Sequence, residues 1–199
     1  MTDRVLYFLK NIPNNIAGWE NKFPNLTQQQ SYIDKDFAVL GEEAVNFFKA
    51  KGLTPVFGIV WSWPYRQNHE LYYHTDQWHD GKGGIMSGDV VAMNFLLAGD
   101  PGLTEFVSFD KTTEIDPSFF SKKVNFNYRK FDGTSPPDNS YVLTKDTPTI
   151  MRIDVPHRVN TNDIRPDQCR WSYSLRFNVG KNAADWQSCL DRLSDHLVP

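Results

Sequence analysis

The chain is poor in the features that usually announce a class. It holds two cysteines, Cys169 and Cys189, among 199 residues, too few for a disulfide framework and without zinc-type spacing. Its longest apolar run, Val90–Ala98, is broken by Asn94 and falls far short of the roughly 20 residues that span a bilayer. The opening MTDRVLYFLKNIPNN has no stretch that reads as a secretion signal. A cytoplasmic protein with no membrane partner is the expectation. Basic excess is also missing: 21 Lys+Arg against 24 Asp+Glu leave a formal net charge of −3, so no nucleic-acid partner is expected. There is no internal repeat, and the turn-rich stretches are short, which reads as a single domain over residues 1–199.

What the chain has is aromatic and apolar content. At 40% hydrophobic, 14% aromatic and 23% charged residues, it can bury a core and is not disordered. Eight segments rich in Val, Ile, Tyr, Phe and Trp, bounded by Gly, Pro, Asn or Asp, read as strands: 54–61, 70–75, 89–97, 104–109, 124–131, 141–143, 149–159 and 170–179. Helical spacing links Phe37, Leu40, Ala44, Phe47 and Phe48, with Gly52 placed to end the helix. A second helical face carries Trp186, Cys189, Leu190, Leu193 and Leu197 after an N-cap at Asn182. Strands flanked by a helix at either end predict a mainly β sandwich or jelly roll with supporting α-helices. A doubly wound fold would need helices between the strands.

Alternation sorts the last strand into two faces. Arg170, Ser172, Ser174 and Arg176 lie on one side, and Trp171, Tyr173, Leu175 and Phe177 on the other. The apolar set is expected to pack beneath a helix, with the cationic set turned into a cavity. Asn94, inside an apolar strand, either satisfies backbone groups or points into that cavity.

The chemistry-bearing residues begin at His74-Thr75-Asp76. In an extended strand His74 and Asp76 project to one side, which suits ligation of one metal ion. A second imidazole would complete a two-His-one-carboxylate set with open positions, and His157, 83 residues on, can supply it. With five His and 18 Asp in the chain, chance alone yields on average about 0.45 His-x-Asp pairs, so the pair decides nothing by itself. His157 shares its face with apolar neighbours, a placement that a core histidine hydrogen-bonded to backbone would also have. Arg170-Trp171-Ser172 adds a guanidinium and a hydroxyl on one face, a combination that holds a carboxylate. Arg176 shares that face and could serve instead.

Taken in order, His74-Thr75-Asp76, Val91–Phe95, Asp154–Asn160 and Arg170-Trp171-Ser172 resemble the iron(II)/2-oxoglutarate-dependent oxygenase superfamily over about half the chain. The resemblance implies a double-stranded β-helix (jelly roll) with His74, Asp76 and His157 as ligands of Fe(II). It also implies 2-oxoglutarate bound through Arg170, assisted by Ser172; Asn94, if it points into the cavity, is the further candidate to border the cosubstrate. Its members decarboxylate 2-oxoglutarate to succinate while oxidising a second substrate, here expected to be a small molecule or a peptide. The reading from another class is a non-catalytic jelly-roll module with a degenerate site. Clustering of the three ligands discriminates the two.

Overall fold

In the computed structural model, residues 4–22, 31–64, 72–76, 78–79, 85–87, 91–115, 129–160, 169–177 and 183–199 are described. Period-two alternation of apolar and polar side chains dominates them, and strands follow. In chain order the elements are β1 (Leu6–Phe8), β2 (Ser31–Asp34), α1 (Glu42–Ala50), β3 (Pro55–Pro64), β4 (Tyr73–Thr75), β5 (Trp78–His79), β6 (Ile85–Ser87) and β7 (Val91–Ala98). They continue with β8 (Leu103–Phe106), β9 (Arg129–Phe131), β10 (Asn139–Tyr141), β11 (Thr149–Arg152), β12 (His157–Asn160), β13 (Cys169–Phe177) and α2 (Ala183–Arg192).

Two antiparallel sheets result, one of six strands in the order β1-β11-β7-β13-β3-β2 and one of five in the order β10-β8-β12-β4-β9. β5 and β6 form a separate pair. The chain passes from β3 to β4, to β7 and to β8, changing sheet at each step, and changes again through β10, β11, β12 and β13. This is a mainly β, jelly-roll-like arrangement. No helix among the described residues is long and apolar enough to cross a membrane.

The faces of the six-stranded sheet divide as the alternation predicts. Its outer face carries Val91, Met93, Phe95, Leu97, Tyr173, Leu175 and Phe177, packed with Phe48 of α1 and Trp186 and Leu190 of α2. The Phe48 and Phe177 rings meet edge-on at 5.2 Å. Each such side chain removed from water contributes about 1.5–3 kcal/mol, which fixes which way β13 faces. Its other face turns inward, where Leu6, Ala92, Leu96 and Met151 meet Phe106 of the opposite sheet.

The outer face of the five-stranded sheet holds a buried ion pair. Arg158 and Glu105 are cross-strand neighbours, and Arg158 Nε donates to Glu105 Oε2 at 2.5 Å. Arg158 Nη1 donates to the Gly133 carbonyl at 2.8 Å, and its guanidinium lies 4.2 Å from the Tyr73 ring centroid.

Several expectations change. The 149–159 segment is two strands in different sheets, β11 and β12, separated by a turn at 153–156. Pro156 brings no N–H to a ladder, while its carbonyl accepts from Val107 N–H at 3.0 Å. The first helix begins at Glu42 and not at Phe37, because Phe37 and Gly41 have left-handed backbone, φ 54° and 87°. The Asp34 carboxylate holds that approach by accepting from Ala38 and Val39 N–H at 2.9 and 3.0 Å. Phe37 and Leu40 nonetheless join the same core, so their spacing reflects a shared core without a helix. Gly52, with φ 73°, closes α1 as a glycine C-cap does. The 104–109 strand stops at Phe106, and Phe109–Lys111 is a 3-10 turn. The second helix stops at Arg192, before a 3-10 turn at Ser194–His196. The proposed N-cap Asn182 and residues 70–71, 89–90, 124–128 and 178–179 of the expected strands lie outside the described residues.

Candidate metal centre

β4 and β12 are antiparallel neighbours whose register pairs His74 with His157. Directly opposed residues project from the same face, and here that face looks toward β13. The two imidazole centroids are 4.6 Å apart. Asp76 follows β4 by one residue and its N–H donates to the Ile153 carbonyl at 2.9 Å. Its Oδ1 lies 3.3 Å from His74 Nε2 and 3.8 Å from His157 Nε2. One ligand atom from each of the three lies within 4.8 Å of the others, the only such group of three His, Cys, Asp or Glu among the described residues. Phe106 packs against His157 with ring centroids 5.7 Å apart.

The electrostatics of the three are set by β13. Arg176 Nη2 donates to Asp76 Oδ2 at 2.6 Å. Burial opposes the charged carboxylate, but the Arg176 guanidinium and the contacts with His74 and His157 overcome it, and the Asp76 pKa is held well below the usual carboxylate range. His157 moves the other way for a base: burial, with His74 beside it, lowers its pKa from 6.5 to about 4. Its Nδ1 sits 2.8 Å from the Val155 carbonyl, which assigns the proton to Nδ1 and leaves the Nε2 lone pair toward Asp76. The site therefore presents an anionic carboxylate and a neutral imidazole at pH 7, the protonation states that a divalent cation requires.

A pH effect on stability follows. Between about pH 6.5 and 4 the unfolded chain binds a proton that native His157 refuses, so stability falls as pH drops through that window. The loss should reach up to about 3 kcal/mol. Urea unfolding with chelator present, at pH values across the window, should show this slope in wild type and a flatter one in His157→Gln. Parallel slopes would count against the lowered His157 pKa.

The turn between β11 and β12 holds both halves of the site. Its Ile153 carbonyl fixes the Asp76 backbone and its Val155 carbonyl orients His157. Within the turn Arg152 Nε and Nη2 donate to the two carboxylate oxygens of Asp154 at 2.9 and 2.6 Å. Groups that orient ligands through a second layer are commonly worth about 10-fold or more in metal affinity. Asp154→Asn should thus weaken divalent-metal binding about 10-fold in chelator competition. Glu114→Gln, which breaks the exposed Arg129–Glu114 pair, should leave it unchanged.

The other expected residues lie on the same inward surface but apart from the triad. Arg170 is buried, at 3% exposure. Its Nε and Nη1 have no hydrogen-bond partner among the described residues, and burial lowers its pKa to about 10. Arg176 stands six positions further along β13, about 20 Å along an extended strand. Ser172 is buried between them, and half-buried Asn94 stands in register with Ser174. Sequence reasoning preferred Arg170, with Ser172 beside it, over Arg176 as the carboxylate anchor; the structure pairs Arg176 with Asp76. The role of Arg176 toward Asp76 and those of the 153 and 155 carbonyls were not read from the sequence. Only the shared face of the two arginines hinted at the first.

Two facing antiparallel sheets with a buried two-His-one-carboxylate group between them define a jelly-roll-like protein with a candidate mononuclear metal centre. No protein-family model matches the chain, and no curated protein sequence matches it. Among solved structures, it is similar to a Pseudomonas putida prolyl-4-hydroxylase at 12% identity and a TM-score of 0.40, covering 83% of this chain and 82% of that one. It is also similar to AviO1 from Streptomyces viridochromogenes Tue57 at 10% identity and a TM-score of 0.38, covering 82% and 79%. Both likenesses are remote, and what this chain can do is decided by its own side chains.

Proposed function

We propose that the chain is an iron(II)/2-oxoglutarate-dependent oxygenase, of hydroxylase type, on a double-stranded β-helix. The observation that carries this reading is the convergence of His74, Asp76 and His157, from strands 83 residues apart, on one buried point. Two imidazoles and one carboxylate suit Fe(II) and leave coordination positions open. Arg170 fits the cosubstrate: a buried guanidinium with unpartnered Nε and Nη1 is incomplete until an anion meets it. Arg176 already serves Asp76, so the distal carboxylate of 2-oxoglutarate is assigned to Arg170, with Ser172 assisting and Asn94 bordering the cavity.

Iron(II) and 2-oxoglutarate would supply oxygen activation coupled to decarboxylation, yielding succinate, CO2 and an oxidised small-molecule or peptide substrate. The chain's own residues do the rest. Arg176 keeps Asp76 ionised, the Val155 carbonyl presents His157 Nε2, and Phe106 shields the His157 side from water. A degenerate, non-catalytic module would lack a ligand or scatter the set.

Anaerobic equilibrium binding of Fe(II), then of 2-oxoglutarate, tests the reading before any substrate is known. Saturable binding of 2-oxoglutarate that depends on Fe(II), followed by succinate release in a substrate screen, is the expected result. A wild-type protein that binds neither would favour the non-catalytic module.

A further inference from the structure

We infer that the Arg170 pocket binds a small inorganic monoanion, of which chloride is the simplest, and that this ion competes with 2-oxoglutarate, so that cosubstrate binding responds to the surrounding salt. The ion site stands on Arg170 and its surroundings; the competition rests on the cosubstrate reading above.

The three buried arginines among the described residues are not treated alike. Arg158 is 9% exposed and paired with Glu105, and Arg176 is 5% exposed and paired with Asp76. Arg170 is the deepest, at 3% exposure, and neither its Nε nor its Nη1 has a hydrogen-bond partner among the described residues. Burial is the single influence on its pKa, which it lowers. A neighbouring carboxylate would raise that pKa again, so no counter-charge of the chain reaches this guanidinium. Burying an uncompensated cation is strongly unfavourable. Water could satisfy the donors but would leave the charge standing; an anion answers both. Without such an ion Arg170 is a net cost to the fold, and with it that cost is offset.

The surroundings select the ion. Ser172, 4% exposed, lies two positions on along β13 and shares the face by alternation, so its hydroxyl can donate beside the guanidinium. Leu96 of β7 stands opposite Ser172, is also 4% exposed, and adds an apolar wall. One cation lined in this way is matched by one negative charge. Sulfate would bury a second charge unpaired, and an ion that sheds its water readily enters most easily. Arg176, which holds Asp76, is six positions away on β13, about 20 Å along the strand. The ion therefore needs no metal. The distal carboxylate of 2-oxoglutarate needs the same guanidinium, so each excludes the other.

The test uses the whole metal-free protein with chloride as the probe, read by quadrupolar broadening of the chloride NMR line. Wild type should broaden the line saturably, and Arg170→Met should bind chloride about tenfold more weakly or worse. Arg170→Lys, which keeps the charge with fewer donors, should retain part of the broadening, and near-UV circular dichroism checks that both variants are folded. Nitrate should displace chloride and sulfate should not. In a second arm, 2-oxoglutarate is titrated anaerobically with Fe(II) at increasing chloride, gluconate holding the ionic strength. Its apparent dissociation constant should rise about tenfold once chloride stands about ninefold above its own constant, while Fe(II) affinity without cosubstrate stays unchanged. Equal chloride broadening in wild type and both variants, or sulfate matching nitrate, would overturn the ion site whatever 2-oxoglutarate does. Arg170-dependent chloride binding with a 2-oxoglutarate affinity indifferent to chloride would overturn the competition. A wild type that binds chloride through Arg170 but no 2-oxoglutarate would overturn the oxygenase reading, and the competition with it, and leave the ion site standing.

Discussion

Replacing Asp76 with alanine should abolish tight divalent-metal binding and destabilise the metal-free fold by about 3–5 kcal/mol. Metal binding suffers because one of three ligands, and the only anion among them, is removed. Stability suffers for a different reason. Arg176 is 5% exposed, its Nη1 already has no partner among the described residues, and its Nη2 donates to Asp76. Without the carboxylate a buried guanidinium is left with no counter-charge at that position. Breaking a buried pair from one side is far worse than removing both halves, so Asp76→Ala/Arg176→Met should recover most of the stability and none of the metal affinity. Urea unfolding with chelator and calorimetric metal titration read the two effects separately. An Asp76→Ala protein as stable as wild type would show that Arg176 finds another partner.

Arg170→Met should act with opposite signs on stability and binding. Unpartnered donors in a dry site are costly, and a methionine fills similar space without a charge. The metal-free, cosubstrate-free protein should become more stable, by about 1–3 kcal/mol. Affinity for 2-oxoglutarate should fall by about 2–5 kcal/mol, roughly 30-fold to several thousand-fold, because the cosubstrate carboxylate would then be buried unpaired. Metal affinity should persist, since the three ligands are untouched. Thermal unfolding and anaerobic 2-oxoglutarate titration of Arg170→Met beside Arg176→Met check this. Cosubstrate binding that survives the first substitution and fails only in the second would move the anchor to Arg176.

The sequence carries the spacing of the site better than its supports. His74 and Asp76 are two apart and the β13 faces alternate cleanly, and both properties are local to one strand. The pairing of His74 with His157 is not local, because it depends on where the chain changes sheets. The 149–159 run looks continuous since Ile150, Met151, Ile153 and Val155 keep apolar character through the bend; Pro156 is the sign that the ladder breaks. β1 and β2 have only three and four residues and lie at the sheet edges, where one-sided pairing asks little of the pattern. Val155 and Ile153 act through their carbonyls, which every residue possesses, so no sequence could single them out.

The ion pair on the outer face of the five-stranded sheet bears on folding fidelity. β12 is four residues long and meets β4 at a single register position, too little pattern to fix alignment by hydrophobicity alone. A slip of one residue would exchange the faces of every side chain on it. Arg158 would turn into the cavity beside Phe106, His157 would turn out, and Glu105 would remain buried without its cation. Each stranded charge costs several kcal/mol, so misaligned chains are penalised when β12 docks against β8. A weakened Glu105–Arg158 pair should therefore appear first as slow or heterogeneous refolding, with a fraction of molecules that never acquire a metal site.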